Sequence, residues 1–164
     1  MRSLRTNIQK IKGLDGKSLN FALVVSRFNS RITGRLLDGA VWGLRECEVD
    51  DKNIRIVEVP GAFEIPQVAL LITKHQKVDA VICLGAIIRG GTPHFEYISA
   101  ETARGIMEAG LLSGIPFIFG VLTVNSLRQA IERSSGKNNK GRETAFVAVE
   151  MALLFKKIQK KKLK

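Results

Sequence analysis

The chain of 164 residues has the length of one ordinary domain, and its 45% hydrophobic and 25% charged side chains are those of a globular protein. Almost all of its net charge of +11 lies at the ends: residues 1–17 hold five basic side chains against one acid, residues 156–164 six lysines and no acid, and the remainder fifteen against fourteen. A protein that reads nucleic acid presents its basic face within the fold, so this distribution describes solvated tails, and nucleic acid is not an expected partner.

No apolar block of a secretory leader stands in the first twenty residues, and the longest apolar run, 80–88, is too short to span a bilayer. The expected location is therefore cytoplasmic. Cys47 and Cys83 are too few for a disulfide framework and sit in apolar patterns, so both read as core residues. No Cys/His cluster suggests a metal.

Taken in chain order, the short β-branched run 21–25 predicts a buried parallel strand. A helix follows from Thr33, read as its N-cap, to about Cys47, with Leu36, Leu37, Ala40, Val41 and Leu44 on one face. A polar turn at 50–53 leads to a second strand, 54–59, which Pro60-Gly61 ends before a helix over about 65–75. The third strand covers 79–88, and a glycine loop leads from it into a long helix, about 95–112. Pro116 opens the fourth strand, 117–124. Asn125 or Ser126 caps a short helix ending near Arg133, and the polar loop SSGKNNKG precedes the last helix.

Strands alternating with helices predict a single domain of flavodoxin-like type, a three-layer α/β/α sandwich with a four-stranded parallel sheet. Residues 1–17 form an N-terminal arm in this reading, and 156–164 a basic C-terminal tail. Ligands of such sheets bind beyond the carboxyl ends of the strands, so the loops at 26–32, 60–65, 86–94 and 123–126 are the informative ones.

In the first loop Phe28 is either a plug over the strand end or a platform for a planar ring. In the second, Glu64 either favours a helix dipole or accepts hydrogen bonds from sugar hydroxyls. The third, Arg89-Gly90-Gly91-Thr92-Pro93-His94, sets two glycines before a helix N-terminus, an arrangement suited to an anion. It is neither a Walker A loop nor a dinucleotide fingerprint. Just past it, the His94 imidazole is either placed to exchange protons or merely structural or exposed, whereas His75 reads as a helix-end residue facing water. Arg133, Lys137 and Lys140 suit phosphate binding as well as they suit a solvated basic turn.

Together, SRFNSRIT, VPGAFEIP, LGAIIRGGTPHFEYI, FGVLT and AIERSSGKNNKG resemble the lumazine synthase pattern in order and spacing, from about residue 20 to 155. That resemblance implies a transferase that joins 5-amino-6-(D-ribitylamino)uracil to 3,4-dihydroxy-2-butanone 4-phosphate, with no cofactor and no metal. It implies that Phe28 stacks on the pyrimidine and that Ala62, Phe63 and Glu64 hold the ribityl chain and ring. Ala86, Ile87 and Ile88 would read the ring edge through their backbone. Gly91, Thr92 and Arg133 would bind the phosphate, and His94 would be the acid–base. Phe119, Arg133 and Lys140 would reach the site from a neighbouring subunit of a pentamer, alone or packed twelvefold into a sixty-chain shell. The segment from Arg133 to Lys140 is one residue shorter than the family spacing, which leaves Lys137 as an alternative to Lys140. Glu143 stands where an aspartate is expected. The related archaeal-type riboflavin synthase is the rival enzyme of this fold, and a polyanion-binding scaffold using the tails is the rival from another class.

Overall fold

The computed structural model describes residues 13–161, with four strands and five helices in alternation. In chain order these are β1 (Phe21–Ser26), α1 (Ser30–Glu46), β2 (Ile54–Val59), α2 (Ile65–His75), β3 (Ala80–Ile88), α3 (His94–Ser113), β4 (Phe117–Val124), α4 (Leu127–Arg133) and α5 (Lys140–Lys161). All strand pairings are parallel, in the order β2-β1-β3-β4. The expected flavodoxin-like sandwich is therefore the observed one.

Strand periodicity divides the core. Leu23 and Val25 of β1, with Ile82, Leu84 and Ala86 of β3, point into a cluster closed by Leu36, Ala40 and Leu44 of α1 and Ala145, Ala148 and Val149 of α5. Their neighbours Ala22, Val24, Val81 and Cys83 point the other way, against Ile65, Ala69 and Ile72 of α2 and Ile106 of α3. Side chains alternate across a strand, so central strands buried on both faces must be apolar throughout. Every residue of β1 is buried.

Close approach of α1 and α5 depends on glycine. A Cβ on Gly141 would lie 1.9 Å from the Leu36 carbonyl oxygen, and one on Gly43 would lie 2.8 Å from the Ala145 Cβ.

Two boundaries differ from the sequence expectation. Helix α1 begins one turn before Thr33, because Asn29 turns the chain in the left-handed region (φ 59°, ψ 42°) and its carbonyl accepts from Ile32 and Thr33 N–H at 2.8 and 3.1 Å. Thr33 is buried inside the helix instead of capping it. The expected basic tail is helical as far as Lys161, and Lys156 pairs with Asp79 at 3.0 Å. Asp79 in turn accepts from Asn20 N–H at 2.7 Å, tying the end of α5 to the start of the sheet. Lys162 and Lys164, and the N-terminal arm up to residue 12, lie outside the described residues.

Candidate active site

Three strand ends converge on one cavity. The β1–β2 ladder continues past Ser26, with Arg27 N–H donating to Val59 O at 2.8 Å and Phe28 N–H to Pro60 O at 3.0 Å. This carries the Phe28 ring beyond the sheet, where it is 72% exposed. Asn29 then reverses the chain, and its amide Nδ2 donates to Ala86 O at 2.8 Å. One asparagine thus fixes the first loop against the end of β3.

After β2 a 3-10 turn, Ala62–Glu64, runs directly into α2. Glu64 Oε2 accepts from Gly61 N–H at 2.9 Å, so the carboxylate folds back and holds the turn that presents Phe63. After β3 the loop 89–93 meets α3, whose first residue is the exposed His94. Neither Gly90 nor Gly91 has a positive φ, and a Cβ on either would meet nothing within 4 Å. These glycines are thus not required by a left-handed turn; they leave the backbone open beside the N-terminus of a 20-residue helix.

The cavity enclosed by these loops is about 420 Å³, within the range of about 300–1,000 Å³ typical of small-molecule sites. Phe28, Ala62, Phe63, Ala86, Ile87 and Ile88 supply its apolar and backbone lining, and Glu64, Thr92 and His94 its polar groups. Gly91 lies between Gly90 and Thr92, both of which line it. Asn29, Gly61, Phe95 and Ile98 also line it, and sequence reasoning did not single them out. For Phe95 and Ile98 a signal existed, since an apolar pair three residues apart in the first turn of a helix faces one way.

The remaining three expected site residues lie elsewhere. Phe119, Arg133 and Lys140 line a cavity of about 650 Å³ along β4 and α5, with Thr123, Thr144 and Met151. Arg133 and Lys140 also line a polar cavity of about 520 Å³ with Asn125 and Glu132. None of the three lines the cavity of His94. Sheet order explains the separation: β4 is an edge strand, and Arg133 ends the helix that follows it. Lys137 lines none of these cavities, whereas Lys140, paired with Glu143 at 2.7 Å, stands beside Arg133. Both cysteines are buried. Loss of hydration pushes the Cys47 thiol up to about 11, with the Glu46 charge adding to it, and burial raises the Cys83 thiol as well. Neither is a nucleophile at neutral pH.

Such a site, with stacking walls, a carboxylate, an imidazole and an open amide loop at the carboxyl edge of a parallel sheet, is that of an α/β enzyme acting on small molecules. Residues 18–156 match the family model described as 6,7-dimethyl-8-ribityllumazine synthase. A relative of that name from Syntrophus aciditrophicus (strain SB) is 50% identical over 146 residues, covering 88% of this chain and 95% of the relative. The chain belongs to the 6,7-dimethyl-8-ribityllumazine synthase family, as its sequence strings implied. Among the described residues, no helix is long and apolar enough to cross a membrane.

Proposed function

We propose that the chain condenses 5-amino-6-(D-ribitylamino)uracil with 3,4-dihydroxy-2-butanone 4-phosphate, releasing phosphate and water to give 6,7-dimethyl-8-ribityllumazine, a step of riboflavin biosynthesis. The observation that carries this reading is the division of the site into two cavities. One holds a ring platform, a carboxylate and an imidazole; the other holds an arginine and a lysine. Two copies meeting across these faces bring the halves together, as a cyclic head-to-tail ring does. A pentamer, alone or built into a sixty-chain shell, has that symmetry, and the cytoplasm is the compartment this reading expects.

The pyrimidine stacks on Phe28, its edge meets the backbone of Ala86–Ile88, and its ribityl hydroxyls meet Glu64 and the 62–64 backbone. Phosphate sits on the Gly91–Thr92 loop and is closed over by Arg133 from the next copy, with Phe119 and Lys140 beside it. The pyrimidine amine attacks the ketone and water leaves as the imine forms. Phosphate is then eliminated, and ring closure expels the second water. His94 moves the protons that these steps require. Holding two reactive molecules in attack geometry contributes as much as about 7–11 kcal/mol, and proton transfer about 10²–10⁴-fold.

The decisive assay mixes both substrates with the protein and follows lumazine against the uncatalysed background. H94A is expected to slow turnover by about 10²–10⁴-fold while leaving catalysis above background. R133M is expected to raise the KM for the butanone phosphate. Product formation at the background rate by an assembled, folded sample overturns the proposal, as does riboflavin formed from lumazine alone.

A further inference from the structure

Arg89 is the residue between β3 and the open loop, and its backbone N–H, Nε, Nη1 and one face of its guanidinium are all engaged. Its N–H donates to Val124 O at 2.9 Å, adding one rung to the β3–β4 ladder. Its Nε donates to Asn125 Oδ1 at 2.9 Å, and Asn125 is itself held from α4, its N–H donating to Gln129 Oε1 at 2.8 Å. The Nη1 of Arg89 pairs with Glu96 in the first turn of α3. The guanidinium carbon lies 4.3 Å from the centroid of the Phe95 ring, stacked on its face. The Arg89 hydrogen bond holds the Glu96 carboxyl below its ordinary range, so the pair is charged at neutral pH.

The loop between has little to shape it from within. Among the described residues its backbone bond is Glu96 N–H to Pro93 O at 3.1 Å, and a Cβ on Gly90 or Gly91 would meet nothing within 4 Å, so that side of the loop is unpacked. A segment without packing of its own takes its shape from its anchors. Arg89 holds both anchors: the strand end through Val124 and Asn125, and the helix start through Glu96 and Phe95.

We propose that Arg89 is a positioning residue: by bracing the end of β4 and the first turn of α3 together, it sets the Gly90–Pro93 loop in the shape that receives the phosphate and aims His94. The inference rests on the reading of that loop as the phosphate site. A cation beside an anion loop invites the simpler view that Arg89 itself grips the phosphate. Its Nε and Nη1 are held by Asn125 and Glu96 and one face of it by Phe95, which fixes the guanidinium as a brace while its Nη2 stays open among the described residues, so the two roles need a variant that separates them.

Glu96 separates the two roles. Its conversion to Gln loosens the arginine by exchanging a charged acceptor for a neutral one, and removes a negative charge near the phosphate. A ligand role therefore predicts that E96Q binds the phosphate substrate as well as before or more tightly. A bracing role predicts that E96Q weakens it in the same direction as R89M. The experiment measures KM for each substrate and kcat in R89M, R89K, E96Q, the double variant R89M/E96Q and T92A, with assembly state and far-ultraviolet circular dichroism checked for each. R89M is expected to raise the KM for the butanone phosphate by about 10- to 100-fold, the scale of a small misplacement of a binding group, with the pyrimidine KM within about twofold. E96Q is expected to follow it, the double variant to be no worse than R89M, and R89K to recover part of the loss. An R89M without a KM change, or an E96Q that binds as well or better, overturns the inference while the T92A effect keeps the phosphate reading. If T92A leaves that KM unchanged, the loop does not hold phosphate and both fall together. Should R89M fail to assemble, E96Q and R89K decide the matter.

Discussion

Asn29 does at one position what two residues would otherwise share. Its backbone adopts a left-handed conformation that few residues other than glycine accept, and its side chain crosses to the carbonyl of Ala86. Substitution separates the two roles. N29G keeps the turn and loses only the hydrogen bond, a cost of about 0.5–1.5 kcal/mol, whereas N29A adds the strain of a left-handed alanine, about 1–2 kcal/mol more. Denaturation midpoints should therefore order wild type, N29G, N29A, and the pyrimidine KM should rise in both variants because Phe28 loses its tether. Equal midpoints for the two variants would remove the strain argument. The cysteines give a second prediction at this scale. Since the fold disfavours the Cys47 thiolate, its contribution to stability is complete below the ordinary thiol value of 9.0 and is lost as pH rises toward about 11. Native protein at neutral pH should leave a thiol reagent unconsumed, and unfolded protein should consume two equivalents. Phe28, Glu64, Thr92 and His94 were legible in the sequence because each is a conspicuous group on a strand-end loop. Asn29 and Arg89 were not legible as positioning groups. Asn29 reaches the Ala86 carbonyl 57 residues away and Arg89 reaches Asn125 36 residues away, separations that only the sheet order closes.

Elements were read more easily than their ends. Apolar runs identified the strands and helical periodicity identified α1 and α5, while turn and cap residues such as Pro60-Gly61 and Ser126 placed the helices between them. Helix starts depend on local hydrogen bonds, and there Thr33 was a plausible cap overruled by a turn four residues earlier. The lysine run at the C-terminus looked like a tail by charge alone, yet the α5 pattern of Ala145, Ala148, Val149 and Ala152 carries the helix through it, with Lys156 docked on Asp79. Glycine supplies the sharpest prediction here, since α1 contains one in open space and faces another with no room at all. A Cβ added at Gly34 would meet nothing within 4 Å, so G34A should stabilise α1 by as much as about 1 kcal/mol through helix propensity. Gly141, whose Cβ would meet the Leu36 carbonyl at 1.9 Å, should respond in the opposite sense, with G141A costing about 1–3 kcal/mol or more as α1 and α5 are forced apart. A urea midpoint that holds or rises in G141A would mean that the α1–α5 seam is not the tight contact described.

At the scale of the whole molecule, the proposed function makes one chain half of two sites. The fold sends Phe28, Glu64 and His94 to one cavity and Phe119, Arg133 and Lys140 to the other, a separation that no spacing along the sequence reveals. Met107, Leu111 and Leu112 of α3 are exposed apolar side chains, as that proposal expects of a face covered by a neighbouring copy. If each site draws one half from each of two neighbours, defects in different halves complement. Chains carrying T92A with H94A lack the first half, and chains carrying R133M lack the second. In rings assembled from an equal mixture, an intact site forms wherever the first half comes from an R133M chain and the second from a T92A/H94A chain. With random placement that is about a quarter of the interfaces, so co-assembled rings should recover about a quarter of the wild-type rate although neither parent does. Mixing the two after assembly, without subunit exchange, should recover nothing. A site confined to one chain makes the opposite prediction, because every site then carries one of the two defects and co-assembly leaves the rate at the level of the parents.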